Sequence, residues 1–436
     1  VKALIGGRGE KTASLTLNRA TDTTRQPGST FKIVSTYAPA LNEKGMTLAT
    51  TFEDEPYEYP DGSPVNNATR SYNGTTTIRT AIQNSINVVA VKCLEKVTSE
   101  LGLKYLDNFG FTTLAHGTEA DKDANGNVWS DANLATALGG ITRGVTNVEL
   151  CASYAAIANN GNYIKPIYYT KILDHNGNVL IENTAAERSV IKESTAFLLT
   201  SAMEDVVKQG TGTACQLDNM PVAGKTGTTE AYNDLWFVGY TPYYTCAVWS
   251  GYDNNEKLPD YARNFHKALW KKVMTRIHEG LPSKEFEKPA SVEKLSVCEE
   301  TGLLPRASCP VITEYFDVGT MPTEYCDQHF YDSDDYDYNY DTDSSDHAFL
   351  LIHPVFYPPT TVVTVTILMT TVTAVTMVLI IPAEAMTTVT VTRMIPLIRS
   401  TIINAKIPVQ EHLRMIFLYC KKSTDLSTQG CGFFLY

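Results

Sequence analysis

The sequence predicts an α+β fold: an antiparallel β-sheet flanked by helices, with an all-helical subdomain beside it. Two observations carry this. The stretch "MPVAGKTGTTEAYNDLWFVGYTPYYTCAVWSGYDN", Met220 to Asn254, reads as three strands rich in Val, Tyr, Phe, Trp and Thr joined by polar turns, an antiparallel meander. On both sides of it, apolar residues recur at helical spacing over several segments.

In chain order, "VKALIGG" at Val1 reads as a strand already under way. With no methionine before it, this predicts a fragment whose upstream part, any signal or anchor included, is lost. "KTASLTLNRATDTT" reads as loop, and Pro27 and Gly28 make a turn. Phe31, Val34, Ala38 and Leu41 then share a helical face that ends at Gly45, so this helix is predicted to be buried. From Thr51 to Thr76 the text is polar and rich in Pro, Gly, Asn and Tyr, a surface excursion. "TIRTAIQNSINVVAVKCLEKV" is helical on both sides of a break at "NSIN", Asn84 to Asn87. A longer α-rich span runs through "ELCASYAAIANNG", where Cys151 is expected in the core. Strand-like "YIKPIYYTKILDHNGNVL" with an Asn-Gly turn follows, then a helix around Glu193 to Val207. After the meander, "NFHKALWKKVMTRIHEGLP" places Phe265, Leu269, Val273 and Ile277 on one face and stops at Gly280 and Pro282. It is predicted to pack on the sheet by that stripe.

At 436 residues the chain exceeds one average domain. The predicted division is a main domain over 1–284, a short cysteine-containing extension over 285–330, an acidic low-complexity disordered tail over 331–346, and an anomalous tail over 347–436. The formal net charge of -12, much of it in "DSDDYDYNYDTDSSD", argues against nucleic acid as a partner. Nine cysteines form neither a dense disulfide framework nor zinc-finger spacing. Cys298, Cys309, Cys326 and His329 are too loosely spaced to be read as a zinc site. No metal is expected, and the extension reads as a small appendage that can be disulfide-bonded outside the membrane.

The chemistry concentrates at "RQPGSTFK". Ser29 and Lys32 lie three apart at the first turn of a helix, so their side chains share a face. A serine hydroxyl needs a base to become a nucleophile, and a neutral lysine serves if desolvation or a nearby cation lowers its pKa from about 10.4. The helix N-terminus also turns unpaired N–H groups toward developing negative charge. Alone, such a serine is more often a helix cap and such a lysine a solvated side chain. Two more segments change that. "SIN" offers Ser85 as a proton relay and Asn87 as an amide to bind substrate or orient the lysine. "KTGTT" puts Lys225, Thr226, Gly227 and Thr228 on a strand, where a glycine weakens the strand unless another backbone approaches. There Gly227 would let a peptide pair with the sheet edge. Lys225 would depress the pKa of Lys32, Thr226 and Thr228 would bind a terminal carboxylate, and the N–H groups of Ser29 and Thr228 would form an oxyanion hole.

The ordered set SxxK, SxN, KTG resembles that of penicillin-binding proteins and serine β-lactamases. Over nearly all of Val1 to about Leu281 the text is similar to the transpeptidase module of class A, bifunctional penicillin-binding proteins. "LNRATDTTRQPGSTFK", "YNGTTTIRTAIQNSINVVAVK", "ALGGITRGVTNVELCASYAAIANNG" and "GTGTACQLDNMPVAGKTGTTEAYNDLWFVGYTP" carry the likeness. The resemblance implies a serine D,D-transpeptidase that binds penicillin and other β-lactams and needs no cofactor. Ser29 would be acylated by the penultimate D-alanine of a peptidoglycan stem peptide, and a neighbouring stem's amine would resolve the ester. It also implies an extracytoplasmic domain of a membrane-anchored parent with a glycosyltransferase module, and no polymerase activity in the chain itself. Ile33 stands where the family often has Pro, which should alter only the local helix. Competing readings are a D,D-carboxypeptidase, a serine β-lactamase and a non-catalytic β-lactam sensor. The deacylating ExxxN pattern of class A β-lactamases is missing between Asn87 and Lys225, and no signalling module is visible.

The tail "PPTTVVTVTILMTTVTAVTMVLIIPA" is long enough to span a membrane but unusually rich in threonine. Read one base earlier, Thr codons become those of Asp, Tyr, Asn or His, and Val codons those of Gly, Ser, Arg or Cys. That text would continue the acidic run and could bury no core. Residues from about His347 onward are therefore expected to be out of frame or disordered.

Overall fold

The computed structural model describes residues 1–7, 13–229 and 231–329, together with backbone strands between 349 and 435. The chain divides into two units, Val1–Tyr331 and Asp332–Tyr436. In the first, the helix expected after Pro27 and Gly28 is wound in three ways. Gly28–Thr30 is a 3-10 turn, Lys32–Tyr37 is π-helical and Ala38–Asn42 (α1) is α-helical. Pro39 has no N–H to return to the Ser35 carbonyl, and just before it the N–H of Ala38 reaches back five residues to Ile33. The apolar stripe behaves as its spacing predicts: Phe31, Val34, Ala38 and Leu41 are all buried.

The polar excursion folds into short antiparallel pairs, β1 (Thr51–Asp54) with β4 (Gly74–Thr77) and β2 (Tyr57–Glu58) with β3 (Pro64–Val65). Thr77 caps α2 (Ile78–Asn84), and α3 (Asn87–Val97) and α4 (Ser99–Asn108) complete a helical layer. The break at "NSIN" is real: Ser85 adopts the left-handed conformation, φ 58° and ψ 41°, as the C-cap of α2. α5 (Asn147–Ala158) opens with a capping box between Thr146 and Glu149. Cys151 is half-buried, against the expected core position. The Asn-Gly segment forms the exposed hairpin of β6 (Lys171–Leu173) and β7 (Val179–Glu182). Before and after it, β5 (Asn162–Ile164) pairs with β8 (Glu187–Ser189).

α6 (Glu193–Lys208) leads into the predicted meander, β9 (Ala223–Thr228), β10 (Leu235–Tyr240) and β11 (Thr245–Ser250), antiparallel in the order β11-β10-β9. The fold is thus the α+β arrangement expected. One apolar core runs from Phe31 and Val89 through Leu199 to Trp236 and Tyr240, joining the helical layer to the sheet.

Two expectations are corrected. Val1–Gly7 forms no strand; it is tied down by hydrogen bonds from the Val1 amine to Ile167 O at 2.9 Å and from Arg19 N and Nη1 to Gly6 O at 2.9 and 3.4 Å. The helix after the meander, α7 (Phe265–Ile277), is also turned differently. Phe265, Leu269, Val273 and Ile277 are exposed, Phe265 by 51%, while His266, Trp270 and Met274 are buried. Trp270 is the reason: its ring lies edge-on to Phe237 at 4.9 Å, and its indole N–H donates to Cys246 O at 2.9 Å. The adjoining stripe buries Trp270 and Met274 against Phe237 in one apolar cluster.

Beyond α7, β12 (Val292–Cys298) and β13 (Val311–Asp317) form an antiparallel hairpin. Buried Glu314 grips Arg79 of α2 through two hydrogen bonds, 2.5 and 2.7 Å, while Asp205 of α6 takes a third at 2.6 Å. The extension is thereby clamped to the helix that ends at Ser85. The reading of its cysteines is corrected as well. Cys298, Cys309 and Cys326 are all unbridged, and their sulfurs lie with a His329 ring nitrogen within 4.8 Å of one another. Loose spacing in the text is closed by the hairpin, which returns the chain to its starting point.

In the second unit β14 (Phe349–Tyr357), β15 (Thr360–Leu368) and β16 (Val375–Pro382) pair antiparallel, as do β17 (Ile416–Tyr419) and β18 (Gly432–Leu435). The acidic stretch 331–346, expected to be disordered, lies outside the described residues. Among the described residues no helix is long and apolar enough to cross a membrane.

Candidate active site

The turn bearing Ser29 is pressed backbone to backbone on β9. Gly28 has φ +55°, and a Cβ there would stand 2.9 Å from Thr228 O; a Cβ on Gly227 would stand 2.6 Å from Pro27 O. Only glycine fits either place. The close approach expected of a substrate at Gly227 is made instead by the chain's own turn. Trp236 Nε1 donates to Gln26 O at 2.9 Å and the Tyr154 hydroxyl to Thr30 O at 2.7 Å, so the turn is held at both ends.

Ser29 is half-buried, and its hydroxyl has no hydrogen-bond partner among the described residues. Lys32 is fully buried. Its Nζ lies within hydrogen-bond distance of three oxygens: Ser85 O at 2.7 Å, Asn87 Oδ1 at 2.6 Å and Ser85 Oγ at 3.3 Å. From the sheet side buried Lys225 donates to the same Ser85 hydroxyl at 2.7 Å and to Thr226 O at 3.2 Å. Lys32, Ser85, Asn87 and Lys225 therefore converge, with the Ser85 hydroxyl between the two amines. Burial, and then the charge of Lys225, hold Lys32 well below the ordinary lysine range. Burial pushes Lys225 down to about 7.

The strand supplies the rest. Thr229 N–H donates to Asp234 O across the β9–β10 ladder at 3.1 Å. Bonds alternate along an antiparallel pair, so the N–H groups of Thr226 and Thr228 point away from β10, to the free margin beside Gly28. Alternation also turns Lys225 and Gly227 inward, while Thr226 is half-buried and Thr228 exposed, both open to an incoming group.

Three positioning residues escape the motif reading. Buried Asn67 accepts from the N–H groups of Asn87 and Val88 at 2.9 and 3.2 Å, capping α3, and Asn66 O takes the Asn87 amide N–H at 2.7 Å, which leaves Oδ1 aimed at Lys32. The Thr211 hydroxyl shares a 2.7 Å hydrogen bond with that of Thr226. Both asparagines sit in the polar excursion, about twenty residues from Asn87, where nothing local marks them.

The chain's residues 6–275 match the profile of the penicillin binding protein transpeptidase domain, and residues 288–331 that of the penicillin-binding protein 1A C-terminal domain. Penicillin-binding protein 1A of Clostridium botulinum is 35% identical over 347 residues, covering 76% of this chain and 40% of its own. That of Clostridium tetani is 36% identical over 348 residues, with 76% and 43% covered. The chain thus spans about two fifths of the length of these curated relatives. Among solved structures, penicillin-binding protein 1A from Haemophilus influenzae shares the fold at a TM-score of 0.59 and 23% identity, over 71% of this chain and 50% of that one. PonA1 from Mycobacterium tuberculosis in complex with penicillin V aligns at 0.55 and 25% identity, over 64% and 75%. With more than half of its length matched to that profile, the chain belongs to the penicillin-binding protein transpeptidase family.

Proposed function

We propose that this chain is a serine D,D-transpeptidase that cross-links peptidoglycan stem peptides through an acyl-enzyme on Ser29, and that penicillin inhibits it by acylating the same oxygen. The observation that carries the reading is the pair of buried lysines meeting at one hydroxyl. A neutral Lys32 donates its two N–H bonds to Ser85 O and Asn87 Oδ1, the two short contacts, and keeps a lone pair for the Ser29 proton. The Ser29 oxygen attacks the penultimate D-alanine carbonyl. The negative charge that forms lies against the N–H groups of Ser29 and Thr228. The Ser85 hydroxyl, supplied by the amines, hands a proton to the departing D-alanine nitrogen as the C–N bond breaks. An acceptor amine then retraces the path and frees Ser29. Thr226 and Thr228 hold the terminal carboxylate, and Gly227 keeps the turn seated on the sheet.

The test is labelling by a fluorescent penicillin with mass spectrometry of the digested adduct. Ser29→Ala is expected to abolish labelling, and persistent labelling refutes the assignment. Rapid turnover of a chromogenic β-lactam identifies a lactamase, and release of D-alanine without cross-links a carboxypeptidase. Acylation with neither cross-linking nor D-alanine release identifies a sensor. The chain would act outside the cytoplasm as part of a membrane-anchored protein with a glycosyltransferase module. The domain division at 284 and 330, and an out-of-frame origin for residues from about 347, are part of the same proposal; resequencing the gene tests the latter.

A further inference from the structure

The extension carries a donor set that the transpeptidase chemistry does not use. Cys298 ends β12, Cys309 stands two residues before β13, and Cys326 and His329 follow on the next segment in Cys-x-x-His spacing. Between the first two the chain folds back on itself: Gly302 N–H donates to Cys298 O and Cys298 N–H to Leu303 O, both at 2.8 Å. Leu304 then ties in the third segment, donating to Glu324 O at 2.9 Å and accepting from Cys326 N–H at 2.8 Å. Two backbone loops thus bring four side chains to one point.

We propose that Cys298, Cys309, Cys326 and His329 form a structural zinc site. His329 Nδ1 lies 3.5 Å from Cys298 Sγ and 3.2 Å from Cys326 Sγ, and all four ligand atoms lie within 4.8 Å of one another. Zn–S bonds of about 2.3 Å and Zn–N bonds of about 2.0–2.1 Å put the corners of a tetrahedron about 3.6–3.8 Å apart, so little movement is needed. The imidazole is set for ligation. Its Nε2 lies 3.2 Å from Glu300 Oε2, so the N–H faces the carboxylate and Nδ1 turns its lone pair to the sulfurs. Arg306 N–H donates to Cys309 Sγ at 3.1 Å, as it would to a thiolate. Three sulfurs and one nitrogen are a soft, four-coordinate set with no open position, which selects zinc and a structural role. A disulfide would leave one of the three thiols unpaired. Binding displaces the thiol protons to solvent and oxidises nothing.

The hairpin has need of it. A two-stranded hairpin is marginal alone, and its local core is Ala49, Val297 and Phe316 with a few half-buried neighbours. The same hairpin presents Glu314 to Arg79. A metal at its base would fix the clamp on α2, whose C-cap is Ser85.

The full chain, purified without chelator and equilibrated with zinc alone, should retain one zinc after dialysis, by elemental mass spectrometry. Cobalt(II) loaded in its place should give the intense visible bands and sulfur charge transfer of a tetrahedral thiolate site, a readout that needs no variant. Cys309→Ser and Cys326→Ser should lose the zinc. Glu300→Gln, which keeps all four ligands, should weaken zinc binding by ~10–100-fold. Zinc-equilibrated chain with no bound metal, a disulfide among the three cysteines in that protein, or unchanged zinc in either Cys→Ser variant overturns the proposal.

Discussion

Replacing Gly227 by alanine tests whether the Ser29 turn is placed by its seat on the sheet. The added methyl group would stand 2.6 Å from Pro27 O, 2.9 Å from Thr30 Cγ2 and 3.1 Å from Trp236 Cβ, where ordinary contact begins at 3.4 Å. The obstructing atom is backbone, and β9 is laddered to β10, so the turn must retreat by about 0.8 Å. A displacement near 1 Å at a reacting group costs ~100-fold in rate, or about 2.7 kcal/mol. The overpacking should cost a further 1–3 kcal/mol, roughly, in stability. The assay is the acylation rate constant with a fluorescent penicillin, measured well below the melting temperature of the variant. A rate within about threefold of the parent's, in a variant folded by circular dichroism, would refute the argument that the glycine places Ser29.

Lys225→Met should change the pH profile in a defined direction. Acylation by a neutral Lys32 rises as pH increases through the pKa of that lysine, and the Lys225 charge is the second cause of its depression after burial. Removing that charge raises the pKa, so the acid limb of the pH–rate profile should move to higher pH, and the plateau should drop by ~10²–10⁴ as the proton relay loses its supply. A limb that stays or moves down contradicts the coupling. For α7, Trp270→Ala should cost about 3–5 kcal/mol in urea denaturation and Phe265→Ser less than about 0.5, since the first is fully buried and the second half exposed. The reverse order would mean that the helix presents its other face.

Candidate residues at the site were legible because the three motifs together resemble a known ordered set. An SxxK pair at a turn, a hydroxyl and an amide in a helix break and a lysine with glycine on a strand have few structural reasons to occur together. The meander and the buried Phe31–Leu41 stripe followed from periodicity, which reports how a segment meets whatever lies next to it. Periodicity could not choose between two adjoining stripes of α7. That depended on the packing over Phe237, where Trp270 and Met274 are buried.

By itself, then, the sequence named the side chains to which the proposed chemistry is assigned, because motif residue types and short spacings are written in the text itself. Tertiary structure alone decided what surrounds them: that Gly227 admits the chain's own turn, that Asn66 and Asn67 aim Asn87, and that three cysteines and a histidine meet. Each of these is an encounter between segments far apart in the chain, and distance along the backbone carries no record of distance in space.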